Sequence, residues 1–224
     1  MEKISVLMPV YNRENFIERS VNSILNQTYK NLEILIYNDG STDNSVNIIK
    51  KLMLNDDRIK LLDLKDGQVN KGVGYARNTL LMLCETKYAC WMDSDDVAHP
   101  ERIELQMKAM TQDQLVYCTW ENLKNKTPGT TRGFATLMFP VNNEILFPEN
   151  MKFGAEDAMW REEMEKVYPA TDVNKVLYSI DFHGDRIGTW KRKIDKEWGG
   201  KYNLKNIENL SYEEAINKFN KEYR

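Results

Sequence analysis

The chain has 224 residues, enough for one sizeable α/β domain with its own core. Hydrophobic residues make up 42% and charged residues 29%, the balance of an ordinary soluble globular protein. Against 34 acids stand 31 lysines and arginines, and the net charge of −3 excludes a general attraction for nucleic acid or an anionic membrane. Three cysteines, Cys84, Cys90 and Cys118, lie in apolar segments without metal-type spacing, so they read as buried free thiols of a reducing compartment. Residues 1–3 lead straight into a strand, so no signal peptide is expected. No apolar run approaches the ~20 residues that span a bilayer, and a cytoplasmic protein without a transmembrane segment is expected.

In chain order, Ile4-Ser5-Val6-Leu7-Met8 reads as a strand stopped by Pro9, with Tyr11-Asn12-Arg13 as a short loop. A helix follows over roughly 14–26. Leu32 to Tyr37 is a second strand, ending in Asn38-Asp39-Gly40-Ser41-Thr42-Asp43, where Asp-Gly marks a turn and Ser41 or Thr42 can cap the next helix. That helix carries Val46, Ile49, Leu52 and Met53. Ile59 to Leu62 is a short strand; the loop 65–72 leads to a helix with Val73, Ala76, Leu80 and Leu83 inward, then to a strand over 88–92. This β-α-β-α-β-α-β alternation predicts a mostly parallel sheet covered by helices. Beyond Pro100, which suits a first helical position, the pattern predicts a helix, a strand over 115–120 and a turn with Pro128-Gly129. A further strand, antiparallel if it joins the sheet, is expected over 134–139, a helix over about 156–165 and a last strand over 176–180. The basic segment 183–206 reads as a loop or lid, and Ser211 with Glu214 makes a capping box for a terminal helix. One domain over 1–224 is expected, with residues 1–96 as a nucleotide-binding half and 97–224 as an acceptor and catalytic half.

Three loops should meet beyond the carboxyl ends of the strands, where open α/β sheets bind ligands. The strand 88–92 delivers Asp93, Asp95 and Asp96 there, and clustered carboxylates suit a hard divalent cation such as Mg²⁺ or Mn²⁺. The plainer reading is an acidic turn before the helix near Pro100. Tyr11 offers a stacking ring and Asp39 an acceptor for a nucleobase or ribose; the alternative has Tyr11 packing on a helix and Asp39 shaping its turn. The loop Asn70-Lys71-Gly72-Val73-Gly74 opens a helix, and with Lys71 and Arg77 it suits phosphate. Trp160 can stack on a sugar, but inside a helix it suits the core better.

Val6-Leu7-Met8-Pro9-Val10-Tyr11-Asn12, Ile36-Tyr37-Asn38-Asp39-Gly40-Ser41-Thr42-Asp43, Gly72-Val73-Gly74-Tyr75-Ala76-Arg77-Asn78 and Trp91-Met92-Asp93-Ser94-Asp95-Asp96 follow in this order. Together they resemble the family 2 glycosyltransferases of GT-A fold, strongly over 4–110 and less so over about 145–165. The resemblance implies a nucleoside-diphosphate sugar, a UDP-sugar above others, with Mn²⁺ or Mg²⁺, and transfer to an acceptor hydroxyl with inversion. It implies a donor site of Pro9, Tyr11, Asn12, Asp39, Gly72, Arg77, Asp93 and Ser94, with Asp93 towards the ribose or sugar. It implies Asp95 as the metal acid supported by Asp96, and Asp157 as catalytic base with Glu156 as second candidate. His183 in Asp181-Phe182-His183 matches a third metal ligand of some members; its alternative is structural. Lys191, Arg192 and Lys193 either close over the diphosphate or form a solvated loop. The Gln-x-x-Arg-Trp signature of processive synthases is absent, so transfer of one sugar is expected. Partners are then a nucleotide sugar and a carbohydrate or other hydroxyl acceptor, and a homodimer is compatible with the reading. A nucleotidyltransferase would need a Gly-rich loop after the first strand, where Pro9-Val10-Tyr11-Asn12 stands. A binding protein without transfer would have no use for both Asp95 and Asp157.

Overall fold

Strand β1 (Ile4–Val10) is apolar at nearly every position because the sheet is covered on both faces. Ile4, Val6, Met8 and Val10 point to one side, where they meet Val21 and Ile24 of helix α1 (Ile17–Leu25) and Ile49 of helix α2 (Ser45–Met53). Leu7 points to the other, against Ala76, Leu80 and Leu81 of helix α3 (Val73–Leu83). β1 pairs in parallel with β2 (Leu32–Asn38) and β4 (Tyr88–Trp91), and β2 with β3 (Ile59–Asp63). The computed structural model describes residues 1–63, 70–129, 132–148 and 156–183. The expectations for 184–206 with Lys191, Arg192 and Lys193, and for the terminal helix from Ser211, lie outside the described residues.

The second half adds β5 (Val97–Ala98), α4 (Arg102–Ala109), β6 (Leu115–Asn122), β7 (Met138–Pro140), α5 (Glu156–Val167) and β8 (Ala170–Ile180). One mixed sheet results, in the order β3-β2-β1-β4-β7-β6-β8-β5. β7 runs antiparallel to β4 and β6, and β8 parallel to β6. All three cysteines are buried and free. Among the described residues no helix is long and apolar enough to cross a membrane.

Several local expectations are corrected. Pro9 does not stop β1, which runs to Val10. Leu7 accepts the Met92 amide on the β4 side and Val10 accepts the Asp39 amide on the β2 side, so Pro9 faces the β4 side. β4 ends at Trp91, opposite Leu7, so Pro9 lies past the last paired residue on that side, where a proline is tolerated. Neither Ser41 nor Thr42 caps α2. The Ser41 hydroxyl accepts the Asn12 amide at 2.9 Å, and the Ser45 amide at the helix start donates to Asp43 Oδ1 at 3.0 Å. Residues 134–139 are not one strand: the Thr136 amide and hydroxyl both turn back to the Gly133 carbonyl, making a 3-10 turn over Phe134–Thr136 ahead of β7. β8 begins six residues before expected, because its first half is largely exposed and carries little apolar signal. β5, two residues long, has no sequence signature at all.

An aromatic cluster supports the end of β4. Trp91 lies within 5.4 to 5.8 Å, ring centre to ring centre, of Phe134, Phe139, Phe147 and Trp160. Trp160 stacks on Phe147 at 4.8 Å and gives its indole N–H to the Ile145 carbonyl, as expected of a core residue.

Asp43 provides a measurable contribution. Partial burial opposes its ionisation, but hydrogen bonds from the Ser45 hydroxyl and from the Glu14 and Ser45 amides outweigh it and hold the carboxyl below its usual range. A depressed folded pKa stabilises above the unfolded value and is lost as pH falls through the folded one. Asp43→Ala should therefore cost about 1 kcal/mol at neutral pH. Urea unfolding at pH 7 and at about pH 3 checks this; the gap between variant and wild type should narrow at the lower pH.

Candidate active site

The loops after β1 and β2 are stitched together before any ligand is considered. Asn12 adopts a left-handed conformation with φ of 51°, which asparagine tolerates better than most residues. Its side-chain oxygen accepts the Thr42 amide at 2.8 Å. The Arg13 amide donates to the Ser45 hydroxyl at 2.7 Å, and the Glu14 amide to Asp43 at 2.9 Å. Tyr11 stands on this edge with 43% of its surface exposed, so it does not pack as a buried ring.

Asp39 is buried and holds the loop before α3. Its two oxygens accept the amides of Lys71 at 2.9 Å and Gly72 at 2.8 Å. Burial pushes its pKa up, while those amides and the Lys71 charge oppose the rise. Gly72 has φ of 94°, a conformation that disfavours side chains even though open space surrounds it. The Lys71 ammonium lies 4.3 Å from the centre of the Tyr75 ring.

The acid cluster follows directly on β4. Asp93, Asp95 and Asp96 each present a carboxylate oxygen within 4.8 Å of the others. The Asp93 amide donates to the Tyr178 hydroxyl at 3.1 Å, tying the cluster to β8. Ser94 is buried between the acids. Asp95 Oδ2 lies 2.9 Å from His183 Nε2 and 3.2 Å from Arg13 Nε. The His183 ring stacks on Phe16 at 4.2 Å. Asp96 is wholly enclosed; its Oδ1 accepts the Asp181 amide and its carbonyl accepts the Ser20 hydroxyl. Arg19 donates to the Asp95 carbonyl at 2.8 Å and to Asp181 Oδ2 at 3.0 Å. Three carboxylates with an imidazole alongside form a donor set that fits a hard divalent cation.

Arg77 joins this cluster to α5. Its guanidinium lies 3.0 Å from Glu156 and 4.0 Å from Asp93, and 4.4 Å from the Phe134 ring centre. Glu156 is 2% exposed, and burial raises its pKa against the opposing pull of Arg77. Asp157, at the first turn of α5, is half-buried. Burial raises its pKa, Arg77 and the Ala158 amide lower it, and Asp93 raises it again. The structure thus brings Asp93, Asp95, Asp96 and His183 together and sets Glu156 and Asp157 across Arg77 from Asp93.

Sequence reasoning gave no role to Arg13, Arg19, Asp181 or Tyr178. Arg13 follows Asn12 in a strand-end loop, and Asp181 stands two residues before His183, so position next to a recognised motif was the available signal.

The same fold occurs in solved structures. S. aureus TarS in complex with UDP-GlcNAc superposes with a TM-score of 0.73 at 21% identity, over 84% of this chain and 61% of that one. A mannosyltransferase of Pyrobaculum calidifontis in complex with GDP-Man and Mn²⁺ gives a TM-score of 0.68 at 18% identity, over 84% and 59%. These likenesses define a GT-A fold. Residues 5–161 match the family model described as glycosyl transferase family 2, and the chain belongs to that family. A hyaluronan synthase of Pasteurella multocida is 36% identical over 217 residues, which cover 87% of this chain and 22% of the synthase. The chain thus spans about a fifth of that relative.

The Arg77–Glu156 pair is testable by itself. Breaking a buried pair from one side leaves a lone charge, at a cost of about 3–5 kcal/mol. Arg77→Met should destabilise by that order, and Arg77→Met with Glu156→Leu should recover most of the loss. A double-mutant cycle in urea measures both.

Proposed function

We propose that this domain is a metal-dependent, inverting glycosyltransferase that moves one sugar from a nucleoside-diphosphate sugar to an acceptor hydroxyl. The observation that carries this is the approach of two acid groups: Asp93, Asp95 and Asp96 after β4, and the Glu156-Asp157 pair opening α5, where Arg77 bonds Glu156 and reaches Asp93 and where Asp157 feels the charges of both Arg77 and Asp93. The family match and the nucleotide sugars in the TarS and mannosyltransferase complexes support a nucleotide-sugar donor. Asp95, with Asp96 behind it and His183 beside it, would hold Mn²⁺ or Mg²⁺. Such an ion, when bound, stabilises the negative charge of a departing diphosphate.

The remaining roles belong to side chains of this chain. Tyr11 offers its exposed ring to a nucleobase, and uracil is the proposed one. Asp39 has lone pairs left beyond those taken by the Lys71 and Gly72 amides and can accept from the base or ribose. Direct displacement at an anomeric carbon requires a base on the face away from the diphosphate, to take the acceptor hydroxyl proton as the new bond forms. Glu156 is committed to Arg77 and closed to solvent, whereas Asp157 is partly open. Asp157 is therefore assigned the base and Glu156 the positioning of Arg77.

Asp157→Asn should lower transfer by ~10²–10⁴-fold with little change in UDP–Mn²⁺ affinity by calorimetry. Near-native transfer by that variant would remove the assignment. Asp95→Asn should abolish the dependence of UDP binding on Mn²⁺. Because Asp157 titrates above the usual aspartate range and accepts a proton only when ionised, the acid limb of kcat/KM should lie above that range too. A profile flat down to the ordinary aspartate value would contradict it.

A further inference from the structure

Asp95 Oδ2 already has two partners, Arg13 Nε at 3.2 Å and His183 Nε2 at 2.9 Å. A carboxylate oxygen offers about two lone-pair directions. A divalent cation arriving on this oxygen must therefore displace one partner or share with it. The two are not equivalent. A neutral imidazole can carry its proton on Nδ1 instead, turn the Nε2 lone pair to a cation and become a ligand beside Asp95. A guanidinium has donors only and stays charged, so it cannot ligate and is repelled. An approach through the other oxygen of Asp95 leaves the same two positive charges close together.

Arg13 is anchored at its backbone end. Its backbone amide is fixed to the Ser45 hydroxyl at 2.7 Å, and its carbonyl accepts the Phe16 and Ile17 amides at the start of α1. Its Nη1 rests on the carbonyls of Tyr11 at 3.1 Å and Asn12 at 2.9 Å, two neutral acceptors at the donor edge. A diphosphate at that edge would offer the guanidinium fork a stronger, charged partner.

We propose that Arg13 is the resident counter-ion of Asp95 in the donor-free protein. A divalent cation alone then binds weakly, and binds tightly once a diphosphate takes over the Arg13 charge. Arg13 is thus a positioning residue that couples metal and donor, an inference that rests on reading Asp95 as a metal ligand.

The test is a calorimetric titration of Mn²⁺ alone into donor-free wild type, Asp95→Asn, Arg13→Gln, Arg13→Met and Arg13→Lys, with thermal unfolding as a check on folding. Arg13→Gln and Arg13→Met should each bind Mn²⁺ about tenfold tighter than wild type, within the usual range of coupling between sites. Either variant suffices if the other does not fold. Arg13→Lys, which keeps the charge, should stay near wild type. The gain in Mn²⁺ affinity on adding UDP should shrink in Arg13→Gln. Equal or weaker Mn²⁺ affinity in the uncharged variants overturns the inference. So does an Arg13→Lys variant as tight as Arg13→Gln, which would trace the gain to the freed Tyr11 and Asn12 carbonyls. Loss of Mn²⁺ binding in Asp95→Asn without a gain in Arg13→Gln removes this inference alone. Unchanged Mn²⁺ binding in Asp95→Asn removes the metal reading beneath it as well.

Discussion

Buried negative charge is the constraint around which this edge of the sheet is arranged. Asp95, Asp96, Glu156 and Asp181 are all closed off from solvent. An isolated carboxylate in such a place would cost several kcal/mol or take up a proton. Arginines from three separate elements answer it. Arg13 comes from the loop after β1 and meets Asp95; Arg19 on α1 joins the Asp95 carbonyl to Asp181; Arg77 on α3 joins Glu156 to Asp93. Each crosses between elements far apart in sequence. The acid loop cannot shift without breaking contacts to α1 and α3 at once.

Beneath the charges, the core supplies the same fixity by packing. Trp91 is the last residue of β4 and touches four other aromatic rings, so the strand end from which Asp93 departs is tightly seated. Arg102 on α4 is fully buried there. It donates to the carbonyls of Trp91 and Ala135 and to Gln106, and lies 4.8 Å from the Tyr178 ring centre. Tyr178 in turn receives the Asp93 amide. One chain of contacts thus runs from α4 through β8 to the first acid of the cluster.

The sequence is legible where physical periods are strong. The alternation of apolar strands and amphipathic helices through Trp91 follows from burial on both faces of a parallel sheet, and the strand-end acids stand out because they interrupt that pattern. Legibility fails where local hydrogen bonding decides. The 3-10 turn at Phe134–Thr136 looks apolar enough for a strand, yet Gly133 captures both groups of Thr136. The first half of β8 is too polar to read, since the sheet leaves it open to solvent. Arg13, Arg19 and Asp181 escape notice for a different reason. Their roles depend on partners as far as 162 residues away in sequence, a relation that no local window contains.

The Asp39 clamp bears on the thermodynamics of ligand binding. Both of its oxygens are engaged with backbone amides at Lys71 and Gly72, and its own amide is fixed to Val10. The two backbone segments that flank the donor edge are therefore joined in the ligand-free chain. The conformational entropy of ordering residues 71 and 72 is lost during folding and not again on association. A nucleotide bound at this edge, as proposed above, would meet a wall already assembled, and more of its contact energy would be left to appear as affinity.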